Sequence, residues 1–253
     1  MLIFLKKSRQ VYVTLISMDA STHPLTHWYG VCERTGLGLF AEPLNVLSSF
    51  AFMAVAVSIY RFYHHHEDLE RKWIWDIHAL TFLCFIIGIC STVFHAYPTP
   101  VTEMFDQFSI VFFIVIYFWS VLFRIGRCNF FQAMICFVAF VGGSHILVTQ
   151  FPHAINDSIG YLSSMMALIV IAVHLHMKAR PSSQHFMLAA IVGVCSLFCR
   201  AIDRDLCPQF PFGTHFLWHT LNAVLLYILM KQIIRNVNRE ARLKRQAGDS
   251  SAI

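Results

Sequence analysis

Residues 80–95 read Leu80-Thr81-Phe82-Leu83-Cys84-Phe85-Ile86-Ile87-Gly88-Ile89-Cys90-Ser91-Thr92-Val93-Phe94-His95. The stretch is apolar almost throughout, carries no Lys or Arg, and ends on a serine and a histidine one helical turn apart. With its flanks it forms an apolar run over 74–96, near the ~20 residues needed to cross the hydrocarbon core. Six further runs of this kind follow or precede it, and the set predicts spans at 39–61, 74–96, 106–124, 129–149, 157–177, 184–203 and 214–236. Short loops with turn residues separate them, as in Tyr97-Pro98-Thr99-Pro100 and Arg180-Pro181, so consecutive helices are antiparallel neighbours.

Composition agrees. The 253 residues are 57% hydrophobic and 13% charged, against about 45–50% and about 25% in soluble domains. The fold expected is an all-α integral membrane bundle of seven transmembrane helices. The net charge of +5 does not indicate nucleic acid, because the basic residues sit at span ends and in the tail and no nucleic-acid motif is present. Eight Cys do not make a disulfide scaffold, since most lie within apolar runs.

Charge asymmetry sets the expected orientation. Arg61, Arg71, Lys72, Arg124, Arg127, Lys178 and Arg180 share one side with the basic tail, whereas the opposite loops carry little beyond Arg204. The N-terminus is therefore expected outside and the C-terminus in the cytoplasm. Lys6, Lys7, Arg9 and Arg34 oppose this mildly, and a true start at Met18 would remove most of the objection. The expected organisation is an outward-facing segment over 1–38, a seven-helix hydrolase domain over 39–236 and a basic cytoplasmic tail over 237–253.

Polar residues within a bilayer are costly and mark function. Ser91 and His95 end the second span, Asp106 begins the third, His215 and His219 begin the seventh, and Glu42 and Asn45 begin the first. The parity of the spans brings all of these to one side of the membrane. Ser91 and His95 share a helical face, as do His215 and His219. An i,i+4 histidine pair grips a metal, and a third histidine from another helix leaves a fourth position on zinc for water. Taken singly, Asp106 would read as a helix N-cap and Ser91 as a hydroxyl bonded to its own helix. Their concentration at one depth argues for a site. His64, His65, His66, His174 and His176 lie at the other side, and His23, His27, His145 and His153 have weaker spacing.

The pattern Ser91-x3-His95-x10-Asp106, then Asp203, then His215-x3-His219, resembles the alkaline ceramidase family. That family lies in a wider membrane hydrolase superfamily that includes the adiponectin and progestin receptor group. The resemblance implies a zinc amidase acting on a ceramide-like membrane lipid. His95, His215 and His219 would hold the metal. Asp106 would take a proton from the nucleophilic water, and Ser91 would stabilise the oxyanion. It further implies a disulfide between Cys32 and Cys207, and a calcium site in the N-terminal segment to which Glu33 and Glu42 would contribute. Gly30 and Thr35 stand where the family has Asp and Asn; calcium prefers about 6–8 oxygen ligands, so two missing ones weaken that site. An ester lipase and a non-enzymatic lipid-sensing receptor remain alternatives. A transporter is disfavoured because the polar set is confined to one end. An endomembrane lumen and a bacterial periplasm both suit the site, and oligomeric state is left open.

Overall fold

Hydrocarbon offers no hydrogen-bonding partner to a backbone, so an apolar run that crosses it must satisfy its own N–H and C=O groups as a helix. The computed structural model describes residues 31–36, 38–64 and 74–250, and within these it is helical apart from turns. The helices are α1 Pro43–His64, α2 Trp75–Ala96, α3 Pro100–Arg124, α4 Phe130–Gln150, α5 Ile159–Met177, α6 Ser183–Leu206 and α7 His215–Ser250. Seven helices are long and apolar enough to span a membrane, the apolar part of α7 being His215–Glu240. A turn at Ala154–Asp157, with left-handed Ile155 and Asn156, joins α4 to α5. The start at Met18, the family departure at Gly30, and the histidines His65 and His66 lie outside the described residues.

Two boundaries differ from the hydropathy reading. The third helix begins at Pro100, not 106, because its start is set by a cap and not by apolar content. Thr99 Oγ1 accepts from the Thr102 N–H (3.1 Å), and the Thr99 N–H donates to Thr102 Oγ1 (2.8 Å). This is a capping box with Pro at the first helical position. Asp106 is thus inside the helix and is not its N-cap. The last helix runs on through 237–250 as a continuation of α7.

The bundle closes by packing α1 against both α2 and α7, with α3 beside α2 and α6 beside α7. Gly88 allows the closest approach, since a Cβ there would lie 2.6 Å from Met53 Cγ and 3.1 Å from the Met53 nitrogen. The core is built from Phe52, Ile59, Leu80, Ile87, Phe186 and Ile233, among others. Many large apolar side chains point outward, including Leu47, Phe82, Phe131, Val170 and Ile191. In water such a surface would drive association; in a bilayer it faces lipid. α4 is the most peripheral helix, with Ala133 its one buried residue.

At the end away from His95, one ion pair ties α2 to α3. Arg124 donates from Nε to Asp76 Oδ2 (2.7 Å) and from a terminal nitrogen to Oδ1 (2.6 Å), and Ser120 Oγ donates to Oδ2 (2.7 Å). Removing one partner strands the other in a low-dielectric setting. Asp76→Ala is expected to lower stability by about 3 kcal/mol, read as a lower melting temperature of the protein in detergent micelles. An unchanged melting temperature would show that this pair does not hold the two helices.

Candidate metal centre and lipid cavity

The last turn of α2 presents Ser91 and His95 on one face, and the first turn of α7 presents His215 and His219. The rings meet. Their centroids are 5.2 Å apart for His95 and His215, 4.7 Å for His95 and His219, and 4.8 Å for His215 and His219. Each offers a nitrogen, and these atoms lie within 4.8 Å of one another. All three residues are buried.

Neighbouring groups assign the tautomers. His95 Nδ1 lies 2.5 Å from Glu42 Oε2, a pure acceptor when ionised, so the proton belongs on Nδ1. His219 Nδ1 lies 3.2 Å from the Asn45 carbonyl, which cannot donate, and 3.0 Å from Ser48 Oγ. Both rings therefore keep the lone pair on Nε2. Orienting a ligating imidazole through its other nitrogen is how metal sites are usually supported. Buried bases that turn lone pairs toward a common point repel one another unless a cation lies between them. The arrangement fits a divalent metal.

Asp106 and Ser91 line the same cavity as His215 and His219. Asp106 Oδ1 is buried and has no protein partner. A buried carboxylate oxygen in that state calls for a donor from a bound molecule or water. Ser91 Oγ lies 3.0 Å from Ser49 Oγ, which in turn lies 2.7 Å from the Asn45 carbonyl.

Asp203 organises the start of α7. Its Oδ1 accepts from the backbone N–H groups of Thr214 (2.6 Å) and His215 (2.9 Å), and its Oδ2 accepts from that of Cys32 (3.0 Å). Gly213, at φ +62°, makes this approach feasible; a Cβ there would sit 2.2 Å from Asp203 Oδ1. Cys32 and Cys207 form a disulfide, with Cα atoms 5.3 Å apart. The segment around Cys32 is thereby fixed against the end of α6, which places Glu33, Arg34 and Glu42 beside the histidines.

Glu33 and Glu42 do not surround an open cation position. Glu33 accepts from the backbone N–H groups of Leu44 (2.6 Å) and Asn45 (2.9 Å), in the first turn of α1. Burial raises the Glu33 carboxyl above its ordinary value, partly opposed by those two bonds. Glu42 accepts from Arg34 Nε on one oxygen, and on the other from His95 Nδ1 and from Asn45 Nδ2 (3.0 Å). Burial alone would raise the Glu42 carboxyl; the bond from His95 and the nearby Arg34 charge hold it below its usual range. Both expected calcium ligands already accept hydrogen bonds from protein donors on each of their oxygens.

The cavity extends from this end into the bundle, past Phe113, Tyr117 and Val121 of α3 and past Leu225 and Leu229 of α7. From Asp106 to Val121 is a rise of about 22 Å at 1.5 Å per residue. Polar groups stand at one end and apolar ones along the depth.

The sequence pattern of the ceramidase family matches residues 32–247. The chain belongs to the ceramidase family. No curated protein and no solved structure matches it. Sequence reading had brought together Ser91, His95, Asp106, His215 and His219, and the histidines do converge. It missed Arg34, noted only as a topology charge, and the serines Ser48 and Ser49. It also missed Arg200, which lies 5.2 Å from the Tyr161 ring centroid and 5.3 Å from that of Trp218, near the cavity mouth. A lone Arg within an apolar span was the available signal.

Asp203→Asn retains one acceptor oxygen and leaves at least one buried N–H unanswered. It is expected to cost about 1–3 kcal/mol, measured as a melting shift in detergent. Wild-type stability would show that these three bonds do not anchor the start of α7.

Proposed function

We propose that this ceramidase-family protein is a zinc-dependent intramembrane amidase. It cleaves the N-acyl amide of ceramide-like sphingolipids to a long-chain base and a fatty acid. The observation that carries the reading is the triangle of buried imidazoles at the head of a deep apolar cavity. Family membership supports the substrate class.

Zinc held by His95, His215 and His219 would supply a Lewis acid and lower the pKa of a coordinated water to near 7. The remaining chemistry falls to side chains. Asp106 Oδ1, buried and without a protein partner, accepts a proton from the attacking water. It then delivers that proton to the amine nitrogen as the C–N bond breaks. The water oxygen becomes part of the fatty acid carboxyl, and the long-chain base leaves with the proton. Ser91 Oγ turns from Ser49 to donate to the carbonyl oxygen as charge develops there. The apolar walls hold the acyl chain and exclude bulk water, which strengthens each of these interactions. The positive-inside rule puts the site on the non-cytoplasmic face, in a lumen or periplasm.

Purified protein incubated with ceramides and with phospholipids, with and without chelator, tests the reading. Fatty acid release from ceramide, lost on chelation and restored by zinc, is expected. Release from phospholipids alone would make the protein an ester lipase, and no release from any lipid would favour a receptor. His95→Ala and His215→Ala should lose both zinc and turnover. Asp106→Asn should keep zinc while turnover falls by about 10²–10⁴-fold. Normal zinc content in His95→Ala would remove that residue from the metal site.

A further inference from the structure

Arg34 is 3% exposed, and its guanidinium is committed on three sides. Nε donates to Glu42 Oε1, one terminal nitrogen donates to the Gly36 carbonyl (3.0 Å), and the other donates to the His95 carbonyl (2.8 Å). A buried arginine requires a countercharge and a full set of acceptors, and here the countercharge is Glu42. The other oxygen of Glu42 holds His95 Nδ1. Arg34 therefore grips His95 at two points: its backbone directly, and its imidazole through the carboxylate. Two attachments on one residue fix both the position and the rotation of the ring.

The resemblance to alkaline ceramidases places a calcium ion in this neighbourhood, and the donor set does not suit one. Calcium takes about 6–8 oxygens. Glu33 is spent on the first turn of α1, Glu42 on Arg34, His95 and Asn45, and Thr35 stands where an amide ligand would be. A fixed positive charge already sits against Glu42, the carboxylate bonded to His95 Nδ1. A divalent ion brought there would meet that charge, and each oxygen of Glu33 and Glu42 already accepts from a protein donor.

We propose that Arg34 is a built-in cation that replaces calcium in this protein and positions His95 for metal binding, so that both zinc retention and hydrolysis are independent of calcium. The guanidinium suits the task because its planar fork reaches several acceptors at once and it stays charged at any physiological pH. Arg34 bonds to Glu42, the Gly36 carbonyl and the His95 carbonyl and acts through these on the histidine site. The hydrolysis part of this inference rests on the function proposed above; the metal-binding part does not.

The test uses full-length protein in detergent or lipid discs. Calorimetric titration of the wild type with calcium should show no saturable binding up to about 10 mM, above the ~10⁻³ M of the weakest protein calcium sites. Ceramide hydrolysis in calcium-stripped medium resupplied with zinc should equal that with calcium present. Zinc affinity, measured by competition with a chromophoric chelator, should fall by about 10–100-fold in Arg34→Ala, the usual effect of losing a group that orients a ligand. Guanidinium ion, and not sodium at equal ionic strength, should restore part of it. Should melting show that Arg34→Ala does not fold, Arg34→Lys serves, since a single ammonium lacks the planar fork that meets Glu42 and the His95 carbonyl from separate nitrogens; its zinc affinity should fall by about 10-fold. Saturable calcium binding by the wild type, activity lost on calcium removal, or wild-type zinc affinity in the substituted proteins would each overturn the proposal. A wild type that hydrolyses no ceramide would refute the function proposed above, and the calcium and zinc titrations would still decide this one.

Discussion

Asp203 stands where three parts of the chain meet. Its carboxylate answers the first N–H groups of α7 and the N–H of Cys32. A helix start buried in a membrane protein leaves donors that water cannot reach, and a charged acceptor there is worth more than a neutral cap. Because that acceptor belongs to α6, the helix that carries two of the three histidines begins at a fixed point on its neighbour. The disulfide from Cys32 to Cys207 holds the N-terminal segment to the same place. The third histidine, on α2, is held by Glu42 and Arg34, which that segment leads into. The convergence of the three histidines is therefore the consequence of two anchors, one on each side of the rings.

The two ends of the bundle use the same physics for different purposes. At one end Asp76, Ser120 and Arg124 form a closed set whose acceptors and donors match. Such a set links helices and leaves nothing over for a ligand. At the other end the set does not close. Asp106 Oδ1 lacks a partner, and three buried imidazoles bring ring nitrogens within 4.8 Å of one another. Unanswered groups in a low-dielectric setting are expensive, and their retention on one side of a bilayer is the mark of a place where something else must bind. The function proposed above fills that place with a metal ion at one end and a lipid chain along the apolar depth.

Much of this was legible in the sequence. Hydropathy located the seven spans because bilayer thickness fixes their length, and span parity put the histidines of α2 and α7 on one side. The i,i+4 spacing of His215 and His219 then implied a shared face. What hydropathy could not see was any boundary set by polar bonds. The start of α3 lies in Thr99-Pro100-Val101-Thr102, whose hydroxyls form a cap and contribute nothing to an apolar window. Arg34 was read as one charge among those that set topology, since its burial depends on α1 and α2 packing side by side, a tertiary fact. Glu42 was assigned from resemblance to a cation site. Its true partner, His95, lies 53 residues on, and only closure of the bundle brings them together.

An arginine in place of an exchangeable ion changes how the site responds to its surroundings. A bound ion stabilises by an amount that grows with the logarithm of its concentration, so a site built on it is weaker wherever the ion is scarce. A side chain is present at unit stoichiometry always. Its costs are rotamer entropy, up to about 2 kcal/mol for arginine, and desolvation of the charge. The fork geometry offsets the first, because one rigid plane meets Glu42, the Gly36 carbonyl and the His95 carbonyl together. Glu42 offsets the second, since its own burial would otherwise raise its pKa and weaken its hold on His95 Nδ1. The arginine thus keeps the carboxylate charged, and the His95 ring on its far oxygen is held in the one tautomer that leaves its other nitrogen free for a metal.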